Sequence, residues 1–371
     1  YVTGHGEWSL QNEEESKNFN TIVSQNYHLD ELDLATQEIP ATMNSLIING
    51  AKSDFTEAEL YKIDQFVMKG GNLILFMDGL QEQSYYQNQS IFVENSSTLD
   101  TLLNKYGVKR EANIVMDKNC YVNNSSQFGS LNLYWAPIIQ NNQFAKKNPI
   151  TSNLGYVVMV QNGSINVEQA LADKDIKTTI IAKSSNESWT QSENIMLNPL
   201  TIQPPTDGLK AENLAVLLEG KFASAFDKSV SAESTDDSSF VAENHIEKSI
   251  MPGKIFVSGS SYITTYQVLD ETGSSPTAMF LLNILDYCNG NEDLCSMRTK
   301  GLSVNNMTIK SPSLALIFRS FNQFGLAIIV AIIGLFVWRE RNKHKKEIRS
   351  RYNPNDDRTI TKKTREEKNE N

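Results

Sequence analysis

The sequence predicts an α/β protein: an open, mostly parallel sheet of the Rossmann or flavodoxin kind, with a mixed inserted lobe and one C-terminal transmembrane helix. Three observations carry this expectation. Short apolar runs ending in Gly or Asp-Gly alternate with amphipathic helical segments. The links between them in the first third of the chain are short, as crossover connections require. Near the C-terminus lies a long apolar stretch without a charge.

Residues 1–3 read as a strand running into a turn at Gly4-His5-Gly6-Glu7. Residues 18–25 are weakly helical and 28–34 extended. The run SLIIN before Gly50 has the pattern of a buried strand. Thr56 and Glu59 form a capping-box pair, and the helix they start continues to Met68, where Gly70-Gly71 supplies a left-handed stop. Residues 72–77 form a second buried strand closed by Asp78-Gly79. Residues 99–106 are helical with Gly107 as stop, and 113–116 are extended. Residues 120–209 are rich in Asn, Ser, Gln and Thr, with β-like pieces at 155–160 and 178–183. Residues 223–247 read as a mobile loop. Order returns with a strand at 254–257, the turn Gly259-Ser260-Ser261, and a helix over 276–287 that completes the parallel sheet.

Charge is unevenly distributed. Residues 1–318 hold 21 Lys/Arg and 37 Asp/Glu, whereas residues 339–371 hold 12 Lys/Arg and 7 Asp/Glu. An acidic body repels phosphate, so no nucleic-acid partner is expected. The three cysteines, Cys120, Cys288 and Cys295, form no CxxC, and four histidines offer no zinc spacing, so neither metal nor cofactor is expected. Cys288 and Cys295 leave two readings open, a bridge across the intervening turn or two free thiols. Because the chain begins at Tyr1, inside an apparent strand, it is read as a piece, with any leader or N-terminal membrane helix outside it.

Residues 320–338 are uncharged, and a helix of that length rises about 28 Å, close to the hydrocarbon thickness of a bilayer. The basic run that follows Trp338 predicts a cytoplasmic tail and an extracytoplasmic body. The expected divisions are therefore 1–120 and 251–311 for the α/β domain, 121–250 for an inserted lobe and loop, 312–338 for the membrane helix, and 339–371 for the tail. The expected location is the inner (cytoplasmic) membrane, single-pass. The basic start of the tail has two readings, a contact with anionic membrane lipid as a partner, or a stop-transfer signal alone, the safer of the two.

Several segments resemble the GldG family, the auxiliary or substrate-binding component of gliding-motility-type ABC transporters. They are TGHGE at 3–7, SLIINGAKSDFTEAELYKIDQFVMKGGNLILFMDG at 45–79, LDTLLNKYGVKREANIVMD at 99–117, and NLAVLLEGKFASAF at 213–226. The resemblance implies an open α/β domain akin to the amidotransferase and intraflagellar-transport-like group. It also implies an ABC permease and an ATP-binding subunit as partners. The turn after the last strand, Ser258 to Tyr262, departs from the acidic turn expected of that family.

Ligands of open α/β sheets gather at the carboxyl ends of strands, where Gly4, His5, Gly6, Glu7 and Asp78 fall. His5 is a candidate acid or base oriented by Glu7, and the glycines let backbone N–H groups approach an anion. The bland alternative is a tight turn whose glycines take positive φ, with Asp78 capping the next segment. Asp64 reads as a surface residue, and Tyr134 and Trp135 as a packed edge or a sugar-stacking platform. No cysteine sits in an elbow between strand and helix, and no P-loop is present, so no catalytic residue is assigned. The expected role is a non-catalytic extracytoplasmic subunit beside a permease. The alternatives are a membrane-anchored receptor for a small ligand or saccharide, and a membrane-anchored hydrolase using His5.

Overall fold

The structure is a computed structural model that describes residues 1–85, 89–228, 230, 245–299 and 312–352. The chain forms two units, residues 1–304 and 305–371.

The centre of the first unit is a five-stranded sheet. Its strands run in the order Ile176–Lys183, Asn213–Gly220, Gly253–Ser258, Asn72–Phe76 and Ser45–Asn49. The last three are mutually parallel, and the first two join antiparallel. The expected open, mostly parallel sheet is thus corrected to a mixed one. Elsewhere the sheets are pairs or triples of strands, mostly antiparallel. The reason lies in the connections. A parallel neighbour needs a crossover, usually a helix. No helix stands between Ile176–Lys183 and Asn213–Gly220, so the second strand returns from the opposite end. Both of these strands come from the segment expected as an inserted lobe.

Burial on both faces explains why the central strands are nearly continuous apolar runs. Side chains alternate across the sheet. Ile47, Ile74, Leu217 and Phe256 face one layer, formed by helices Lys17–Val23 and Pro276–Cys288. Leu46, Ile48, Leu73, Leu75, Ile255 and Val257 face the other, formed by Glu57–Met68 and Leu99–Lys105. The capping box appears as read: Thr56 Oγ1 accepts from the Glu59 amide at 3.3 Å, and Glu59 Oε2 accepts from the Thr56 amide at 2.7 Å. Such a cap stabilises a helix start by about 1 kcal/mol. A third, smaller cluster gathers Leu80, Ile114, Met116 and Ile195, with half-buried Tyr134, Trp135 and Trp189 packed against it. Tyr134 and Trp135 therefore form a packed edge.

Asp64 corrects the expectation of a surface residue. It is fully buried and accepts from the Tyr106 hydroxyl (2.8 Å), the Ser224 hydroxyl (2.7 Å), the Ala225 amide (2.8 Å) and the Gln65 side chain (2.9 Å). Gln65 in turn exchanges hydrogen bonds with the Ile246 backbone. Neighbouring residues of one helix thus hold both ends of the 223–247 excursion. Most of the segment expected to be mobile, 231–244, lies outside the described residues.

Among its described residues the second unit is one helix, Pro312–Tyr352, containing a span, Arg319–Arg349, long and apolar enough to cross a membrane. Its apolar side chains are exposed, Leu326 at 79% and Phe336 at 70%. The helix continues through the basic run to Tyr352.

Candidate functional site

The strand Val2–Thr3 delivers the Gly4–Glu7 turn to the carboxyl side of Ser45–Asn49, where the Trp8 amide donates to the Asn49 carbonyl at 3.1 Å. Gly4 (φ 108°) and Gly6 (φ 80°) take left-handed backbone, which lets the chain fold around His5. The His5 carbonyl accepts from the Lys52 and Ser53 amides at 2.7 and 3.0 Å.

His5 is buried, and its ring stacks on Phe55 with centroids 3.7 Å apart. Its two nitrogens face two carboxylates: Nδ1 lies 3.5 Å from Glu7 Oε1, and Nε2 lies 3.3 Å from Glu59 Oε1. Burial pushes the Glu7 carboxyl above its ordinary pKa, against the opposing pull of the backbone N–H groups and His5. Burial also acts to raise Glu59, but hydrogen bonds from the Thr56 amide and hydroxyl, with His5 beside it, outweigh this and leave it below its ordinary value. A general base needs one ring nitrogen open to its substrate. Here Nε2 faces Glu59 and one ring face is covered by Phe55, while Nδ1 and the nearby Glu7 Oε1 are buried without a hydrogen-bond partner.

Asp78 lies at the end of the neighbouring strand, buried, and is pushed above its ordinary pKa by burial, partly offset by Ser261 and Arg110. One of its oxygens accepts from the Ser261 amide at 2.7 Å and the other from the Ser261 hydroxyl. The Trp8 indole N–H donates to that same hydroxyl at 2.6 Å. Trp8 also meets Tyr262 edge-on at 5.5 Å, and the Lys52 ammonium lies 4.2 Å from its ring centroid. The structure therefore gathers the five residues singled out in the sequence into two adjacent clusters. His5 and Glu7 join Glu59, Asp78 joins Ser261, and Trp8, the residue after Glu7, reaches the second.

The crevice is also roofed. Gly79, Gly163 and Gly259 stand where backbone crosses backbone: an added Cβ would lie 2.3 Å from the Glu111 carbonyl at Gly79, and 2.1 Å from the Gly163 carbonyl at Gly259. The Gly163 amide donates to the Gly259 carbonyl at 2.7 Å. Strand ends that offer ligands a crevice in open α/β sheets are here occupied by residues 111–113 and 162–164.

Sequence reading missed Trp8, Glu59 as a partner of His5, Ser261 and Arg110. Arg110 donates to the Asp78 and Asn95 carbonyls and pairs with Asp100. Only the glycines were a usable signal, because isolated glycine after a strand marks close backbone approach. On the flank of the roof lies a polar cleft of about 370 Å³, lined among others by Asn113, Ser164, Asn166, Thr190, Glu212 and Asn213. Cys120, Cys288 and Cys295 are free and buried, and burial raises their thiols to about 11, 12 and 11. Among the described residues no group of three or more His, Cys, Asp or Glu is placed to hold a metal.

The family described as "ABC-type uncharacterized transport system" matches residues 1–284. A protein of Borreliella burgdorferi is 24% identical over an alignment of 351 positions that covers 89% of this chain and 63% of that one. The chain thus spans about three fifths of that relative's length. The solved mmIFT52 N-terminal domain is 12% identical, with a TM-score of 0.47 over 78% of this chain and 95% of that one.

Proposed function

We propose a role that starts from membership: this chain belongs to the family described as an ABC-type uncharacterized transport system, and it serves there as a non-catalytic auxiliary subunit. The proposal is the gliding-motility type of such a system. The body stands outside the inner membrane, the helix over 319–349 anchors it in a single pass, and the basic run after Trp338 stays on the cytoplasmic side against anionic lipid. ATP is hydrolysed on a separate subunit, and the anchor packs against a permease.

One observation carries the non-catalytic part. The crevice at the carboxyl ends of the central strands is filled by Trp8 and by the Asp78–Ser261 hydrogen bonds, and crossed by backbone at Gly163 and Gly259. His5, the one histidine there, has both nitrogens turned to carboxylates of its own chain. Gly4, Gly6, His5, Glu7 and Asp78, proposed above as a ligand site, are in this reading the frame of a partner-binding body.

Affinity purification of the full chain from membranes tests the role. A multi-span permease and an ATPase are expected in stoichiometric yield. Their absence under mild detergent, or digestion of the body only after cells are opened, overturns it. A second reading, a receptor for a small polar ligand, is favoured by the polar cleft beside Asn113 and Asn213. Asn213→Ala abolishing ligand binding while sparing complex recovery would select it.

A further inference from the structure

Residues 119–145 contain no Asp, Glu, Lys, Arg or His, a run of 27 residues inside a body whose first 318 residues hold 37 acidic and 21 basic groups. The structure turns the first part of this run into a ribbon. Strand Cys120–Ser125 pairs antiparallel with the start of Gly129–Gln140, from Tyr121 opposite Leu133 to Ser125 opposite Gly129. Tyr121 is 50% exposed and Phe128, at the turn, 55%, and Val122, Asn123 and Asn124 are exposed as well.

Among the described residues, Cys120–Ser125 pairs with no strand but Gly129–Gln140, so its outer edge carries free N–H and C=O groups. Exposed edges of soluble proteins are normally blunted by charge, above all lysine, or by proline. Neither stands on Cys120–Ser125. An edge so left bare is suited to pairing with another strand.

We propose that the outer edge of Cys120–Ser125 pairs with the same strand of a second copy of this chain, making the body a two-fold dimer. Charge selects the occupant. Two acidic bodies repel wherever their charges approach within a Debye length of about 8 Å. The uncharged ribbon is where a second copy can come close. A basic partner would gain nothing from this edge and would be drawn to the acidic remainder instead. The pairing is also self-complementary. Antiparallel pairing about a two-fold axis at Asn123 sets Tyr121 opposite Ser125 and Val122 opposite Asn124, so every pair is uncharged. The exposed Tyr121 and Val122 side chains then gain cross-strand neighbours.

The test uses the full chain in detergent micelles. Size-exclusion chromatography with light scattering is expected to show a dimer. Asn123→Lys, which sets two lysines face to face, is expected to weaken the dimer about tenfold or more, with an unchanged melting temperature at dilutions where wild type and variant are both monomeric. Lys105→Glu, on an exposed helix position elsewhere, leaves it intact. In membranes, Asn123→Cys with a bifunctional maleimide is expected to give a band of twice the chain mass containing this chain alone. A monomeric wild type overturns the proposal, as does a dimer indifferent to Asn123→Lys, which would place the contact in the membrane helix. A cross-linked band holding a different protein overturns the choice of a second copy.

Discussion

The crevice at the carboxyl ends of the central strands and the ribbon starting at Cys120 treat their polar groups in opposite ways. In the crevice most polar groups have a partner within the chain, with His5 Nδ1, Glu7 Oε1 and Asn162 Oδ1 the buried exceptions among the described residues. Asp78 is held by Ser261, Ser261 by Trp8, and the backbone of Gly163 lies directly on that of Gly259. In the ribbon one strand edge has none, and the side chains are uncharged and exposed. The place where an α/β sheet ordinarily meets ligand has been closed by self-contacts, while an ordinarily guarded edge stands open.

The largest expected effect comes from adding a methyl group to each region. Gly259→Ala forces a Cβ to 2.1 Å from the Gly163 carbonyl and should destabilise the body by about 4 kcal/mol or prevent folding. Gly129→Ala in the ribbon meets nothing within 4 Å and should lose about 1 kcal/mol, from its φ of 74° alone. Equal melting temperatures for the two would erase the distinction.

Aromatic truncation is the next comparison. Trp8→Ala removes the donor to Ser261 and the cover over Asp78, an expected loss of about 2 kcal/mol in urea denaturation. Phe128→Ala, exposed at the ribbon turn, should stay within about 0.5 kcal/mol. A larger loss at Phe128 would mean that the ribbon turn is packed in solution.

Acid titration sharpens the crevice side. Burial raises Asp78 above its unfolded value, so between the two values the folded state holds the extra proton. Its contribution to stability therefore rises as pH falls from neutrality through the raised pKa, and levels off below the ordinary carboxylate range. Asp78→Asn should remove that rise, measured as the difference between wild-type and variant unfolding free energies against pH. Glu59 acts with the opposite sign: its lowered pKa stabilises at neutral pH, and that stabilisation is lost as pH falls through the lowered value. A wild-type-minus-variant difference independent of pH would mean that Asp78 is solvated. The smallest effect is Asn123→Lys, expected within about 0.5 kcal/mol in stability, so that any change in association reads on the edge itself.

Elements defined by local pattern were legible in advance. The runs SLIIN and NLILF became buried neighbouring strands of the five-stranded sheet, and the Thr56–Glu59 pair became a capping box. The 13-residue helix ending at Cys288 lies where apolar spacing put it. Sheet direction was not legible. Asn213–Gly220 is as apolar as its neighbours, and only the lack of a crossover helix before it makes it antiparallel. Asp64 looked solvated because its burial depends on Ser224, 160 residues away. Trp8 gave no sign of its role because its partner, Ser261, is 253 residues away.

Period, charge runs and apolar length are properties of neighbouring residues, so the amino-acid order alone settled the α/β character, the acidic body, and a helix able to cross a membrane. Whether His5 and Asp78 stand open or closed depended on contacts between residues far apart in the chain. These are Glu59 against His5, Ser261 against Asp78, and Gly163 against Gly259. Only the folded chain brings such pairs together, because each is held by the packing of whole strands and not by its own local preference.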